Sequence, residues 1–436
     1  MTRGNFILKG DIAWSKDPKT IETKKGAFLV CREGKSAGVF QHIPGEYKNL
    51  PVIDYSPALI IPGLTDLHMH APQFGFRALG MDEELLEWLN KRAFPEEDKY
   101  ADLAYANRAY FFLRENLKKS PNTRIVLFGT MHVKATVLLM KLLEESGLVC
   151  LVGKVNMDRN CPDYLREKDA AASLAATREW LLECGNGAAG GGGKVRPILT
   201  PRFIPSCSDE LMEGLARLQK EFSLPLQSHL SENRKEIGWV RELCPKSDSY
   251  GDAYAKYGFF DGKAPVVMAH CVWSDEKEME LLRERGVYIA HCADSNTNLS
   301  SGIAPVRRFI EMGVPLGLGS DVAGGTHISI FRAMCDAIKV SKLRSVLVEP
   351  DKMPLTVEEA FYLGTAGGAS FFEKAGFGPS GSFEAGCELD ALVIDDRTIS
   401  FLCDLSVRDR LERVLYLSDE RDIKAKYVQG GEIETR

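Results

Sequence analysis

The chain has no excess of basic residues. Its 55 Lys and Arg stand against 61 Asp and Glu, a net charge of −6. A dedicated nucleic-acid binder needs a positive surface against phosphate, so that class is disfavoured. No apolar run is long enough to cross a bilayer, and the opening MTRGNFILKGDIAWSKD lacks the apolar centre of a secretory leader. The expectation is a soluble, cytoplasmic protein. The 11 cysteines are odd in number and none are spaced as CxxC. Neither a disulfide framework nor a Cys-based structural zinc site is expected, and the thiols read as small buried hydrophobes in a reducing compartment. Histidine is scarce, at eight in 436 residues. What the chain does have is apolar mass: 44% of residues are hydrophobic and 27% charged, enough for a large globular core.

The middle of the chain repeats one theme, in which short apolar runs end in polar or Gly residues and lead into helical patterns. Eight runs fit, at 60–68, 125–130, 149–156, 195–200, 224–229, 265–270, 287–291 and 314–320. After the sixth comes SDEKEMELLRERG, with Ser274 as a candidate N-cap, acidic residues in the first turn and Gly286 as the stop. Strand–helix alternation carried eight times is the pattern of an α/β chain forming a (β/α)₈ TIM barrel, with a doubly wound open sheet as the rival. Both ends of the chain look different. NFILKGDIAW, GAFLVCREG, AGVFQHI and PVIDY at one end, and GCELDALVID, RVLYL and KAKYVQGGEIE at the other, are short alternating or apolar runs. They suggest one small β domain built from residues 1–62 and 376–436, around a barrel domain at 63–375. The stretch GNGAAGGGG (185–193) lacks the Lys-Ser/Thr ending of a phosphate loop and precedes a strand, so it reads as a linker.

Five of the eight histidines, His68, His70, His229, His270 and His291, fall at ends of these runs. In a parallel barrel those ends converge on one face, where active sites are built. His68 and His70 are two apart, so in a strand both imidazoles face the same side and can reach one ion. His229 is the natural third ligand. Asp321, after VPLGLGS, can complete a hard N/O shell, although an Asp there also suits a turn or cap. His270 is either a ligand or a hydrogen-bond partner of the reacting water, and the second role is preferred. Glu232, three residues past His229, suits an unligated acid/base, although a helix-start charge is the ordinary role of such a residue. His132 is a candidate pocket residue, and His291 is assigned to packing. A divalent ion held by three His and one Asp lowers the pKa of water from about 15.7 to about 7, so the set reads as metal-assisted hydrolysis.

In barrel order, PGLTDLHMH, SHLSEN, VMAHC and LGSD resemble the amidohydrolase superfamily. HMHAPQFGF followed by LLEWLNKRAFPEE, then VGKVNMDRN, PRFIPSCS, SHLSENRKE, IAHCADSNTNLSSG and GLGSDVAGG narrow the resemblance to members that deaminate guanine. The match covers 63 to about 375, and the terminal segments agree only in kind. The resemblance implies a (β/α)₈ barrel with a terminal β-sandwich, a homodimer, and hydrolysis of guanine to xanthine and ammonia. It implies one zinc ion, with iron as the alternative, on His68, His70, His229 and Asp321. By the same resemblance Glu232 shuttles protons, Asp321 takes one from the attacking water, and His270 orients the tetrahedral centre. Substrate contacts would come from His70, Ala71, Pro72, Gln73, Arg202 and Phe203, with His229, Glu232 and Asp321. Arg202 brings fixed donors for a ring carbonyl, Phe203 a flat aromatic surface, and Gln73 both a donor and an acceptor.

Two departures sharpen the reading. Binuclear relatives place a modified Lys at the end of strand four, where this chain has Thr-Pro-Arg202, while Lys154 lies on strand three. The unrelated zinc deaminases carry a PCxxC signature, absent here. The competing readings are a single-metal relative acting on another aminated ring, such as a triazine, a pterin or an adenosine derivative, and a non-catalytic barrel serving as an assembly subunit.

Overall fold

The computed structural model describes residues 4–184, 193–399 and 404–435. All but the last residue of the Gly-rich stretch 185–193 lies outside them. Eight parallel strands form the barrel: Leu64–His70, Asn122–Phe128, Val149–Gly153, Val195–Pro197, Leu226–Leu230, Val266–His270, Tyr288–His291 and Leu316–Leu318. The third and fourth continue as Val155–Asn156 and Thr200–Pro201, which pair with each other. Strands one to four pair in order, as do five to eight. A bridge between Leu199 and Leu226 joins the two halves on one side. On the other, Asp321 N donates to His68 O (2.8 Å) and His70 N to Val322 O (3.0 Å), closing the ring. The second strand is buried at all seven positions, as a strand packed on both faces must be, which is why these runs read as continuously apolar.

Helices between the strands cover the barrel. Gly286 ends the helix Glu276–Arg285 in a left-handed conformation (φ 62°), as its place in the sequence predicts. The N-cap, however, is Asp275 rather than Ser274. The Asp275 carboxylate accepts from Glu278 N, and an ionised cap also favours the positive end of the helix dipole.

The terminal segments build one seven-stranded sheet, in the order Gly431–Ile433, Ile423–Val428, Ala391–Ile394, Val52–Pro62, Phe6–Asp17, Thr20–Arg32, Lys35–Phe40. Register shifts in the long strand Phe6–Asp17 let it bend. On one face Phe6, Leu8, Ile12, Trp14, Leu29, Phe383, Val393 and Tyr427 make a core of their own. On the other, Leu59, Ile61, Leu392, Ile394 and Val428 join the barrel core.

Two strand readings also need correction. The run 60–68 is not one strand: it belongs to the terminal sheet as far as Pro62 and to the barrel from Leu64. Gly63 marks the switch, where a Cβ would fall 2.3 Å from the Thr123 side chain, so only glycine permits the approach. RVLYL is not β structure but the end of the helix Val407–Leu417. Its buried residues Val407, Leu411, Val414 and Leu415 follow helical spacing, and Ser406 caps the start by accepting from Asp409 N.

Candidate functional site

The first barrel strand delivers His68 and His70 side by side, with ring centroids 5.0 Å apart. Asp66 steadies them from behind, its Oδ1 accepting from His68 N (3.1 Å) and Ser320 N (3.0 Å), which ties strand one to the end of strand eight. His229 arrives from strand five, and the ligand-type nitrogens of all three histidines lie within 4.8 Å of one another. His68, His270 and Asp321 form a second such group. Beneath His68, His70 and His229 lies Phe128, with ring centroids 4.6–5.1 Å from theirs. Asp321 and His270 hold left-handed backbone conformations (φ 47° and 75°), a strain that non-glycine residues keep where surrounding contacts over-determine them.

The tautomers can be read from the partners. His229 Nδ1 lies 2.6 Å from Arg202 O, which only accepts, so that nitrogen carries the proton. Its Nε2 lone pair therefore points inward and stands 3.1 Å from His70 Nε2. Burial holds His70 and His229 well below the ordinary histidine pKa, and lowers His68 too. His68 Nε2 is 3.1 Å from Asp321 Oδ1, but no hydrogen bond aligns with it. Neutral imidazole nitrogens with lone pairs converging beside a carboxylate are the donor set a borderline divalent cation takes, so the residues fit a metal. Burial opposes ionisation of Asp321, yet the imidazoles of His68, His270 and His70 overcome it and hold its carboxyl far below the usual range. Ser295 Oγ donates to its Oδ2 (2.5 Å).

Glu232 faces the same space, with Oε2 3.5 Å from His270 Nε2. Burial pushes its pKa up to about 7. Ser301 Oγ donates to its Oε1 (3.0 Å), and Glu236, in the first turn of the helix Arg234–Leu243, accepts from Glu232 N. His270 Nδ1 pairs with Asn296 Oδ1 (2.8 Å). Burial disfavours its charged form, but the Glu232 and Asp321 carboxylates outweigh this and raise its pKa.

A cavity opens above these groups. His70, His229, Glu232, His270 and Asp321 line it, together with Gln73, Arg202, Phe203, Leu85, Trp88, Leu89, Glu236, Leu299 and Gly324. Ala71 and Pro72 are buried and start the 3-10 turn that carries Gln73, but they do not line the space. Neither does His132, which is partly buried; among the described residues its Nε2 has no partner. His291 is buried, both ring nitrogens lack a hydrogen-bond partner among the described residues, and burial pushes its pKa down to about 4. Lys154 is engaged away from the cavity, in a buried ion pair with Glu167.

Sequence reasoning missed several supporting residues. Ser295, Asn296 and Ser301 sit in ADSNTNLSS, a dense polar stretch directly after an apolar strand, which was a usable signal. Glu97 gave none, since its partner Arg202 lies 105 positions away.

The Amidohydrolase family model matches residues 59–433. A guanine deaminase of Dictyostelium discoideum is 36% identical over the whole of both chains. A guanine deaminase of Escherichia coli is 34% identical, with 98% of this chain and 96% of that one covered. The solved structure of a guanine deaminase from C. acetobutylicum, with guanine bound in its active site, superposes with a TM-score of 0.93 at 43% identity, covering 99% of this chain and all of the other.

Proposed function

The chain belongs to the amidohydrolase family, and from that premise we propose that it hydrolyses guanine to xanthine and ammonia. One observation carries the reading. Neutral His70 and His229, with Asp321 and Glu232, line the same cavity as Arg202, Gln73 and Phe203, the donors, acceptor and flat surface that a purine edge and face require. Guanine bound in the related structure supports the choice of ring. His68, His70, His229 and Asp321 would hold one zinc ion, and this N/O set accepts iron as well. When bound, such an ion supplies Lewis acidity and makes water acidic enough to attack near neutral pH.

The residues then divide the work. Arg202 and Gln73 hold the base edge, and Phe203 covers its face. Asp321, ionised in this site, accepts a proton from the water that adds to C2. Glu232, protonated at the start, delivers its proton to the ring nitrogen beside C2, a task suited to an acid with a pKa of about 7, and the proton taken up by Asp321 passes to the departing amine, which leaves as ammonia. His270 stands where it can stabilise charge on the oxygen added at C2, with Asn296 fixing its ring. The whole set lies within 63–375, which we take as the catalytic unit.

The test is ultraviolet detection of xanthine from guanine, with and without a chelator, beside metal analysis and a panel of adenine, cytosine and a triazine. Guanine turnover that the chelator abolishes and zinc restores is the expected result. Turnover of another ring alone, or none at all, would reject it. A cytoplasmic location fits the same reading, since the ten described cysteines are all unbridged. So does a homodimer: Leu343, Val346, Leu347, Val348 and Met353 form an exposed apolar run. Among the described residues no helix is long and apolar enough to cross a membrane.

A further inference from the structure

Behind the cavity wall, Glu97 joins the two residues that would grip the base. Its Oε1 accepts from Gln73 Nε2 (2.7 Å) and its Oε2 from Arg202 Nη1 (2.7 Å). Glu97, Gln73 and Arg202 are 2%, 1% and 3% exposed, so this is a fully desolvated ion pair with an amide attached. Gln73 and Arg202 line the cavity and Glu97 does not. The other end of the Gln73 amide is also engaged, Oε1 accepting from Ala323 N (3.2 Å). With a carboxylate at one end and an amide N–H at the other, only one sense of the amide satisfies both partners. Gln73 is left with one N–H and one lone pair for a ligand, in fixed places. Arg202 is held by Glu97 and by the Phe94 ring, 5.0 Å from its Cζ. The remaining groups near Glu97 do not replace it. Glu96 is turned to Lys99 and Tyr105, the titratable neighbours Tyr100, Tyr110 and His132 bring no carboxylate, and among the described residues the cavity carboxylates Glu232, Glu236 and Asp321 form no ion pair with Arg202, whose pair is with Glu97.

We propose that Glu97 is a positioning residue that also sets the charge of the base pocket, so that a neutral ring binds in preference to an anionic one. The inference rests on the guanine reading above and deepens it. An Arg202 without a counter-charge would be a bare buried cation, and a buried cation draws anions. The substrate guanine is neutral near pH 7. The product xanthine, with an amine replaced by a second carbonyl beside ring N–H groups, is the more acidic ring. Pairing Arg202 with Glu97 keeps its donors available for a carbonyl oxygen while cancelling its charge, and so favours substrate over the anionic product.

The test compares the metal-loaded wild type with Glu97→Gln, Glu97→Asp and the double variant Glu97→Gln/Arg202→Gln. It measures kcat and KM for guanine and the inhibition constant of xanthine at a pH where xanthine is largely its monoanion. For Glu97→Gln the KM for guanine is expected to rise about tenfold, with a smaller change in kcat, because ground-state grip is what loosens. The decisive readout is the ratio of xanthine inhibition constant to guanine KM, which should fall about tenfold or more as the unpaired Arg202 captures the anion. Glu97→Asp keeps the charge and should restore most of the ratio even if KM stays high. The double variant removes both charges and should restore it too. An unchanged ratio in Glu97→Gln would overturn the proposal, as would a ratio in Glu97→Asp as low as in Glu97→Gln. If Glu97→Gln does not fold, the double variant decides: failure of that variant to discriminate against the anion rejects the charge role. Should the wild type itself show no guanine turnover, the substrate reading fails, and that result is separate from any difference among the variants.

Discussion

Replacing Glu232 by Gln keeps the side chain's size and a contact for Ser301 while removing the carboxyl that can titrate. General acid–base groups contribute about 10²–10⁴-fold, so kcat for guanine should fall by that factor in Glu232→Gln while bound metal, measured by emission spectroscopy, stays near one per chain. Near-wild-type turnover would show that the proton passes elsewhere, with His270 the next candidate. The pair of measurements separates a proton carrier from a ligand, because loss of a ligand would lower both. At this scale the sequence was most legible where spacing and chemistry coincide. His68 and His70 are two apart on a strand, His229, His270 and Asp321 lie at or just past strand ends, and the fold brings all five to one place. It was least legible where a residue acts through a distant partner. Glu97 looks like a helix-surface acid in FPEED until Arg202 is folded against it. The rule that an acid near a helix start serves the dipole gives no warning of such burial.

Barrel strand two carries Arg124 on the side facing the terminal sheet. Its Nε donates to Asp390 Oδ2 (2.6 Å) and its Nη2 to Glu388 Oε2 (2.7 Å), and Arg124 is 1% exposed. Gln429 N and Nε2 bond the same two carboxylates, so the triad fastens a barrel strand to the turn between two terminal strands. Arg124→Met would leave two buried carboxylates without their cation, a change that costs about 3–5 kcal/mol. Urea unfolding should show that loss, and Arg124→Met/Glu388→Gln/Asp390→Asn should recover part of it. A loss below about 1 kcal/mol would mean water reaches the carboxylates and the pair does no fastening. None of this was visible in the strand pattern, which saw an apolar run around residue 125 and not the Arg beside it. The two misread elements fail for a related reason. At 60–68 one apolar run serves two sheets, and nothing but Gly63 marks the change. In RVLYL a short apolar run reads as a strand until the buried set from Val407 to Leu415 reveals a 3.6-residue period.

The terminal sheet and the barrel meet again at Lys426, and here the consequence is for the stability of the whole chain. Lys426 is fully buried, its ammonium donating to the carbonyls of Leu117 (2.9 Å), Lys118 (3.3 Å) and Ser120 (2.9 Å) at the end of the helix Leu103–Lys119. Burial nevertheless pushes its pKa down to about 7. An unfolded chain restores the ordinary value near 10.5, so between about pH 7 and 10.5 the unfolded state holds a proton that the folded state does not. Stability should therefore rise with pH across that window, by at most about 1.4 kcal/mol per pH unit from this group. Below pH 7 the cost of the buried charge is present in full, and above 10.5 it is gone. Many surface groups also titrate in this range, so the measurement is a difference: unfolding free energy by urea at pH 7, 8 and 9 for wild type and for Lys426→Met. The wild-type curve should climb relative to the variant's. Parallel curves would mean that the three carbonyls keep the ammonium charged in the fold, and that the helix end, rather than the low dielectric around it, governs this lysine.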